Sequence, residues 1–235
     1  MKIHRDLWGL FPDVLIVAEP DLVQKHEAYK AAKSGDGMAA AALVSEFLDE
    51  AAIDRVRQLT GNVPLTLVSA HAEEEMGRNA IPQAAAAWLA RQMGLAVDDG
   101  IVQINIVNHT KASGFARLAR PALFDGQVTA GTTYLMVDDF IGQGGTLANL
   151  RGFLMSHGGH VIGAVALTGK PHSAKLQLSN ERLFALREKH ERLEPWWQNR
   201  FGYGFDRLTE SEARYLAETP DAQRIRDRIT EAEQG

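Results

Sequence analysis

The chain has 235 residues, which is enough for one sizeable domain with a buried core. Its formal net charge of -5 argues against a protein that works mainly by neutralising nucleic-acid phosphates, so no nucleic-acid partner is expected. Because there is no cysteine, a disulfide framework, a thiolate metal site and a cysteine nucleophile are all excluded.

Residues 1–60 are predicted to be a mostly helical addition. Val14–Val17 is either a small strand or the start of an amino-terminal cap. Pro20 suits the first turn of a helix, and Asp36 is a candidate helix cap. Helical patterns cover residues 22–32, 39–48 and 53–59.

The amino end has no basic stretch followed by an apolar one, as a secretory leader would have. No run approaches the ~18 apolar residues that a membrane span requires. We therefore expect a cytoplasmic protein without a membrane partner.

Residues 61–170 are predicted to form the core, an α/β, doubly wound parallel sheet. Strand patterns occur at Leu65–Val68, Ile101–Val107, Tyr134–Val137 and His160–Leu167. Helical patterns separate most of them, including one that Pro82 opens and Gly94 ends, and this rhythm indicates helices on both faces of a parallel sheet. Ligands of such sheets sit at the carboxyl ends of the strands. That edge is predicted to carry His71, Asn108, Asp138, Asp139 and Thr168–Lys170.

Residues 171–235 are predicted to be a helical and aromatic segment packed on the core. Ser173–His190 has a helical pattern, and Thr209 with Glu212 forms a capping box before another helix. The aromatic cluster consists of Trp196, Trp197, Phe201, Tyr203 and Phe205. Such a cluster either stacks on a base or packs the segment onto the core, and packing is favoured.

The stretch from Tyr134 to Leu147, YLMVDDFIGQGGTL, combines an apolar strand, two carboxylates, a glycine-rich turn and the start of a helix. Glycines let a ligand approach the main chain closely, and the free N–H groups of a helix's first turn favour an anion. Asp138 and Asp139 can hold the hydroxyls of a sugar or a magnesium ion bound to them. The pattern therefore predicts a phosphate seat beside a diol site, although a plain strand-to-helix turn also has this form.

This stretch closely resembles the 5-phosphoribosyl 1-diphosphate (PRPP) binding motif of type I phosphoribosyltransferases. The match covers Leu135–Thr146 and departs at Gly142 and Gln143, where that family usually carries small hydroxyl residues. The resemblance implies a sheet of the type I phosphoribosyltransferase type, Mg²⁺ as cofactor, PRPP and a nitrogenous acceptor as substrates, and a homodimer. The resemblance permits residues 1–60 to be a hood, the variable region that covers the acceptor, while a packing or dimerisation element is the alternative.

The resemblance also implies roles for individual residues. The 5-phosphate and ribose would be bound by Asp138, Asp139, Gly142, Gln143, Gly144, Gly145 and Thr146. The two aspartates would bind the metal directly, or through water or the ribose diol. Catalysis would depend on them and on Lys111 and Arg117, which lie in a long segment that matches the mobile lid over the diphosphate. By position, the candidates for the diphosphate loop are His71, Ala72, Arg78 and Asn79.

The function that follows is transfer of the phosphoribosyl group from PRPP to a nitrogen of a base or amine in nucleotide metabolism, with release of diphosphate. Ile141 and Gly142 cannot serve as a general base within the loop, which leaves open a regulator that binds PRPP or a nucleotide without transfer. A phosphate-transferring or flavodoxin-like protein is disfavoured, because it would need a differently spaced aspartate pair or a loop rich in hydroxyls. The sequence does not identify the acceptor.

Overall fold

The computed structural model describes residues 3–61, 63–70, 73–74, 77–105 and 114–234. The strands are β1 (Leu15–Ala18), β2 (Thr66–Ser69), β3 (Glu73–Glu74), β4 (Gly77–Arg78), β5 (Ala96–Asp98), β6 (Val102–Gln103), β7 (Phe124–Asp125), β8 (Thr133–Ile141) and β9 (His160–Gly169). The α-helices are α1 (Pro20–Lys25), α2 (Tyr29–Lys33), α3 (Gly37–Phe47), α4 (Glu50–Thr60), α5 (Ile81–Met93), α6 (Gly114–Ala119), α7 (Gly145–Ser156), α8 (Asn180–Lys189), α9 (Leu193–Phe201), α10 (Glu210–Glu218) and α11 (Ala222–Gln234). Within these residues, no helix is long and apolar enough to cross a membrane.

The central sheet has five parallel strands in the order β1-β9-β8-β2-β5. Helix α5 connects β2 to β5, and α7 connects β8 to β9. Because parallel neighbours require crossover connections, these helices cover the faces of the sheet. The predicted fold class, an α/β parallel sheet with helices towards both ends of the chain, is confirmed.

The two faces of β8 are buried in different hydrophobic clusters. Tyr134 and Met136 lie in the cluster that includes α7 and the carboxyl-terminal helices, whereas Leu135 and Val137 lie in the cluster that includes α3 to α5. Successive side chains of a strand point to opposite faces, so a strand covered on both sides is apolar throughout. This explains why the sequence marks β8 as a continuous apolar run.

Strand β8 is longer than the sequence pattern predicts. Instead of ending at Val137 it continues through the acidic pair to Ile141, where Asp138 pairs with Ala166 of β9 and Phe140 pairs with Thr168. The neighbouring strand β9 also extends to Gly169, and its backbone groups need partners along that length. The two aspartates therefore stand on a rigid strand and not on a loop.

The predicted core strand Ile101–Val107 is wrong. Its described part contains only β6, which pairs antiparallel with β7 outside the central sheet, while residues 106 and 107 lie outside the described residues. The edge strand of the central sheet is β5, which has three residues and no clear apolar alternation. Alternation over Ile101–Val107 indicates one buried face but does not identify the partner strand.

Two predicted helices are shorter than their patterns. The pattern over residues 22–32 is divided into α1 and α2, because the ring nitrogen Nδ1 of His26 accepts the N–H of Ala28 at 3.1 Å in place of a helical bond. The pattern over Ser173–His190 becomes helical only at α8, where Ser179 Oγ caps the N–H of Arg182 at 3.3 Å.

Several local predictions for the two ends of the chain are confirmed. Val14–Val17 corresponds to β1, an edge strand of the central sheet, and the side chain of Asp36 caps α3. Thr209 and Glu212 form the capping box of α10. The aromatic cluster packs into the core, where Trp197 and Phe205 are fully buried.

The first residues of the chain lie along α7. Trp8 donates its indole N–H to the carbonyl of Leu208 at 2.7 Å, and Arg151 donates to the carbonyl of Leu7 at 3.0 Å. A Cβ atom at Gly152 would meet the backbone carbonyl of His4, whose carbon lies 2.5 Å from the Cβ position. The amino-terminal segment thus depends on a glycine in the middle of α7.

We expect Gly152→Ala to destabilise the protein by about 1–3 kcal/mol, because it overpacks this contact. In an isolated helix the same change would stabilise the helix by about 1 kcal/mol. The sign of the change in folding free energy therefore distinguishes overpacking from helix propensity. Urea denaturation measures the effect. The control is Gly37→Ala at the start of α3, where a Cβ atom has open space. A stabilised Gly152→Ala variant would show that the segment does not pack closely on α7.

Candidate functional site

A cavity of about 410 Å³ lies at the carboxyl end of β8, between the central sheet and segments from both ends of the chain. This volume is within the range of about 300–1,000 Å³ that is usual for small-molecule sites. The lining residues are Arg5, Gln24, Tyr29, Lys33, Ala70, Asn79, Gln103, Arg117, Pro121, Ala122, Asp138–Thr146, Asn149 and Glu212. The cavity is therefore where the topology of a parallel sheet places a ligand.

The glycine-rich loop forms one wall of this cavity. Gly144 has a φ of +79°, a left-handed conformation that favours glycine, and it immediately precedes α7. The hydroxyl of Thr209 donates to the carbonyl of Gln143 at 2.6 Å and fixes the loop against α10. Gly145 and Thr146 then present the first turn of a twelve-residue helix to the cavity, where its dipole favours an anion.

The side chain of Gln143 has an unsatisfied acceptor. Its Oε1 atom is buried and has no hydrogen-bond partner among the residues that the structure describes. Buried polar atoms normally have partners, so this oxygen is a candidate to accept a hydrogen bond from a ligand or from water.

The two carboxylates of the site are almost completely buried. Asp138 is 7% exposed and Asp139 is 8% exposed. The alternation along β8 directs Asp138 to the face of Met136 and Asp139 to the face of Val137. Burial and the neighbouring charge of Asp139 raise the pKa of Asp138 well above its ordinary value, although Asp138 accepts the backbone N–H of Asp139 at 2.8 Å.

Cations from distant parts of the chain reach the acidic pair and the glycine-rich loop. The ammonium of Lys33 at the end of α2 lies 3.1 Å from Oδ2 of Asp139. Arg117 of α6 reaches the loop, with Nη1 3.0 Å from the position that a Cβ atom of Gly142 would occupy. Burial lowers the pKa of Arg117, but an arginine remains charged near neutral pH.

A buried ion pair supports the start of α7. Arg5 makes two hydrogen bonds to the carboxylate of Glu212, at 2.5 and 2.8 Å, and a third to Asn149 at 2.8 Å. Burial by itself lowers the pKa of Arg5, but the Glu212 carboxylate outweighs that effect and the pKa is raised. A Cβ atom at Gly145 would lie 2.7 Å from Glu212, so the ion pair packs directly against the loop.

These contacts determine the electrostatic character of the cavity. Two of the three carboxylates among its described lining residues are paired with cations, and burial favours the neutral form of Asp138. The cavity therefore suits an anionic ligand despite its acidic pair, because Arg117 and the dipole of α7 also face it.

The structure brings most of the predicted site residues together. Asp138, Asp139, Arg117 and the loop Gly142–Thr146 all line the cavity. Asn79 also lines it, but its Oδ1 accepts the N–H of Ile81 at 3.2 Å, which gives this residue a structural role at the start of α5. The lining does not include Thr168–Lys170.

Several predicted residues cannot be placed. His71, Ala72, Asn108 and Lys111 lie outside the described residues, and the side chain of Arg78 does as well. Their proposed contacts with a diphosphate therefore remain predictions.

Sequence reasoning missed Arg5, Lys33 and the role of Glu212 in the cavity wall. The capping box of Thr209 and Glu212 was visible as a local pattern, but nothing in it indicated a partner 207 residues away. Lys33 lies 106 residues from Asp139 and belongs to a short helix without a distinctive motif.

Direct coordination of a metal by the acidic pair would have to compete with contacts that these carboxylates already make. Among the residues described, no cluster of three or more histidine, aspartate or glutamate side chains could hold a metal ion. Asp139 is already paired with an ammonium group, and Asp138 accepts a backbone N–H. A magnesium ion at this site would have to be held mainly by oxygen atoms of the ligand and by water.

A second, more open cavity of about 540 Å³ lies between α6, α10 and α11. Phe115, Tyr215 and Arg228 are among its lining residues. It includes neither the glycine-rich loop nor the acidic pair, so the chemistry indicated by the sequence belongs to the smaller cavity.

No family model matches the chain. It is 36% identical over 232 residues to Protein TraN of Escherichia coli, which covers 98% of this chain and 52% of that protein. It is also 36% identical over 145 residues to an uncharacterized protein of Haemophilus influenzae, which covers 62% of this chain and 32% of that protein. The chain thus spans about half or less of the length of these curated relatives.

Solved structures similar to the chain include an adenine phosphoribosyltransferase from Thermoanaerobacter pseudethanolicus, with a TM-score of 0.35 and 19% identity over 51% of this chain and 66% of that chain. An orotate phosphoribosyltransferase from Mycobacterium tuberculosis has a TM-score of 0.31 and 19% identity over 61% of this chain and 67% of that chain. At these values the likeness concerns the fold alone.

Proposed function

We propose that the chain binds PRPP in the cavity at the end of β8 and transfers its phosphoribosyl group to a nitrogenous acceptor. One observation carries this proposal: a buried acidic pair and a glycine-rich helix start line the same cavity. A ribose phosphate needs both features, because its hydroxyls donate to carboxylates while its phosphate accepts from backbone N–H groups.

In this proposal the 5-phosphate lies against Gly144, Gly145 and Thr146, and the ribose hydroxyls donate to Asp138 and Asp139. A lone pair on the acceptor nitrogen forms the new bond to C1 of the ribose. The bond from C1 to the diphosphate oxygen breaks, and the diphosphate leaves with that electron pair. The two carboxylates stabilise positive charge that develops on the sugar, and Arg117 faces the anionic ligand.

Gln24 and Tyr29 of the amino-terminal segment line the same cavity, and in this proposal they contact the acceptor. Magnesium dependence belongs to the proposal, with the metal carried by the ligand's own oxygens. Homodimerisation and cytoplasmic localisation stay predictions from the sequence. The proposed activity concerns only the part of the longer relatives that this chain matches.

A regulator that binds PRPP without transfer is the second candidate. It is favoured by one observation: the carboxylates that line the described part of the cavity belong to Asp138, Asp139 and Glu212, and two of these are in ion pairs. An acceptor that must lose a proton would find little help there. The two candidates differ in whether diphosphate is released.

Titration calorimetry with PRPP, with and without magnesium, tests the shared part of both candidates. We expect saturable binding that ribose 5-phosphate weakens by competition and that ATP, which carries a triphosphate at the 5 position of its ribose, does not. Absence of PRPP binding under all these conditions would contradict the proposal.

A diphosphate-release assay with a panel of purines, pyrimidines and amines then separates the candidates. Release with one class of acceptor identifies an enzyme and its substrate class. Binding without release for any acceptor supports the regulator.

A further inference from the structure

The ammonium of Lys33 lies in a fixed position next to the acidic pair. Its side chain is 25% exposed, and that of Asp139 is 11% exposed. The preceding residue, Ala32, is fully buried, and its carbonyl accepts the N–H of Ala80 at 3.1 Å. The end of α2 is thus anchored to the segment before α5, which keeps the backbone of Lys33 near the acidic pair.

A divalent cation bound directly to Asp139 would compete with this ammonium. Magnesium binds carboxylate oxygens at about 2.0–2.1 Å and prefers octahedral geometry. An ion at that distance from Oδ2 of Asp139 would lie within about 5 Å of the Lys33 charge, where the repulsion is twice that between two unit charges. Because both side chains are largely buried, salt screens this repulsion only weakly.

Asp138 contributes little attraction to offset the repulsion between a metal ion and Lys33. Its Oδ1 atom accepts the N–H of Asp139 at 2.8 Å, and the residue is only 7% exposed. Elsewhere in the described lining, the carboxylate of Glu212 is paired with Arg5. Each of the three carboxylates in the described lining therefore already accepts at least one hydrogen bond, with which a free divalent ion would compete.

We propose that Lys33 is the resident cation of this site, holding Asp139 in place and keeping free divalent metal off the two carboxylates until a ligand arrives. A ribose then meets an acidic pair whose Asp139 is already held by an ammonium, and a metal enters only with the ligand's oxygens. The exclusion of free metal is a property of the ligand-free chain, so it can be tested independently of the proposed transfer reaction.

The test is a titration of the ligand-free protein with Mn²⁺, in which electron paramagnetic resonance measures the free ion. We expect Lys33→Met to bind Mn²⁺ at least about tenfold more tightly than the native chain, because removal of the ammonium exposes the charge of Asp139. Excess Mg²⁺ should displace the bound ion. The added affinity should disappear in Lys33→Met/Asp139→Asn.

Lys30→Met is the matched control, since Lys30 is an exposed residue of the same helix. It should leave Mn²⁺ affinity unchanged. Lys33→Gln provides a second variant if Lys33→Met does not fold. Unchanged Mn²⁺ affinity in the folded Lys33 variant, or tight binding by the native chain that Asp139→Asn removes, would overturn the proposal.

Discussion

Asp138→Asn is expected to weaken PRPP binding by about 10- to 100-fold and, at the same time, to stabilise the ligand-free protein near neutral pH. The loss of binding follows because the two oxygens of the carboxyl group can accept from ribose hydroxyls whereas the amide has one acceptor oxygen, and a hydrogen bond left unmade costs about 1–3 kcal/mol. The gain in stability follows because the native protein carries a buried carboxyl whose pKa is raised by burial and by Asp139. An asparagine has no such ionisation cost.

The sign of the pH dependence follows from that raised pKa. Between the unfolded pKa of about 3.9 and the higher folded value, the folded state binds more protons than the unfolded state, so native stability falls as pH rises. The stability contribution is fully present below the unfolded value and is lost as pH passes through the folded value. Asp138→Asn removes this dependence, so its advantage over the native chain should grow with pH across that window.

Urea denaturation at several pH values, together with PRPP calorimetry, measures both effects. Asp99→Asn is the control, because Asp99 is an exposed aspartate that does not line the cavity. It should change neither quantity. If Asp138→Asn lost stability as well as ligand binding, Asp138 would be a structural residue and not a ligand-binding group.

Glu212→Gln is expected to cost about 3–5 kcal/mol of folding free energy, because it leaves the charge of Arg5 buried without a counter-charge. Glutamine has nearly the same shape and can still serve in a capping box, so the variant isolates the charge. The loss would be a large part of the 5–15 kcal/mol by which a domain is usually stable. Because the ion pair packs against Gly145, the loop should also lose its fixed position and bind PRPP more weakly.

Glu218→Gln in the same helix is the matched control. Glu218 is 70% exposed and lies 4.0 Å from Arg214, and such surface pairs contribute about 0–1 kcal/mol. Chemical denaturation should therefore show a loss of folding free energy that is several-fold larger for Glu212→Gln than for Glu218→Gln. Similar, small losses for both would show that water reaches Arg5 and that the pair is not a buried one.

The sequence predicted the parts of the fold that are encoded by contiguous residues. The apolar run of β8 and the glycine-rich turn into a helix were both visible, because a buried strand and a glycine turn leave local patterns, although α7 begins at Gly145, before the predicted Leu147. The edge strand β5 was missed, since three residues carry too little periodicity. The alternation near Ile101 was assigned to the wrong sheet, because a pattern of buried positions does not identify the strand with which it pairs.

The motif YLMVDDFIGQGGTL by itself determined where the candidate site lies and which groups it offers a ligand: two carboxylates and the N–H groups at the start of a helix. Only the tertiary structure decided which charges surround them. Arg5, Lys33 and Glu212 come from segments about 60 to 140 residues from the motif, and their contacts with it depend on how the two ends of the chain pack across the sheet. Local periodicity records which side of an element is buried, whereas the partner of a buried charge is fixed only when the whole chain has folded.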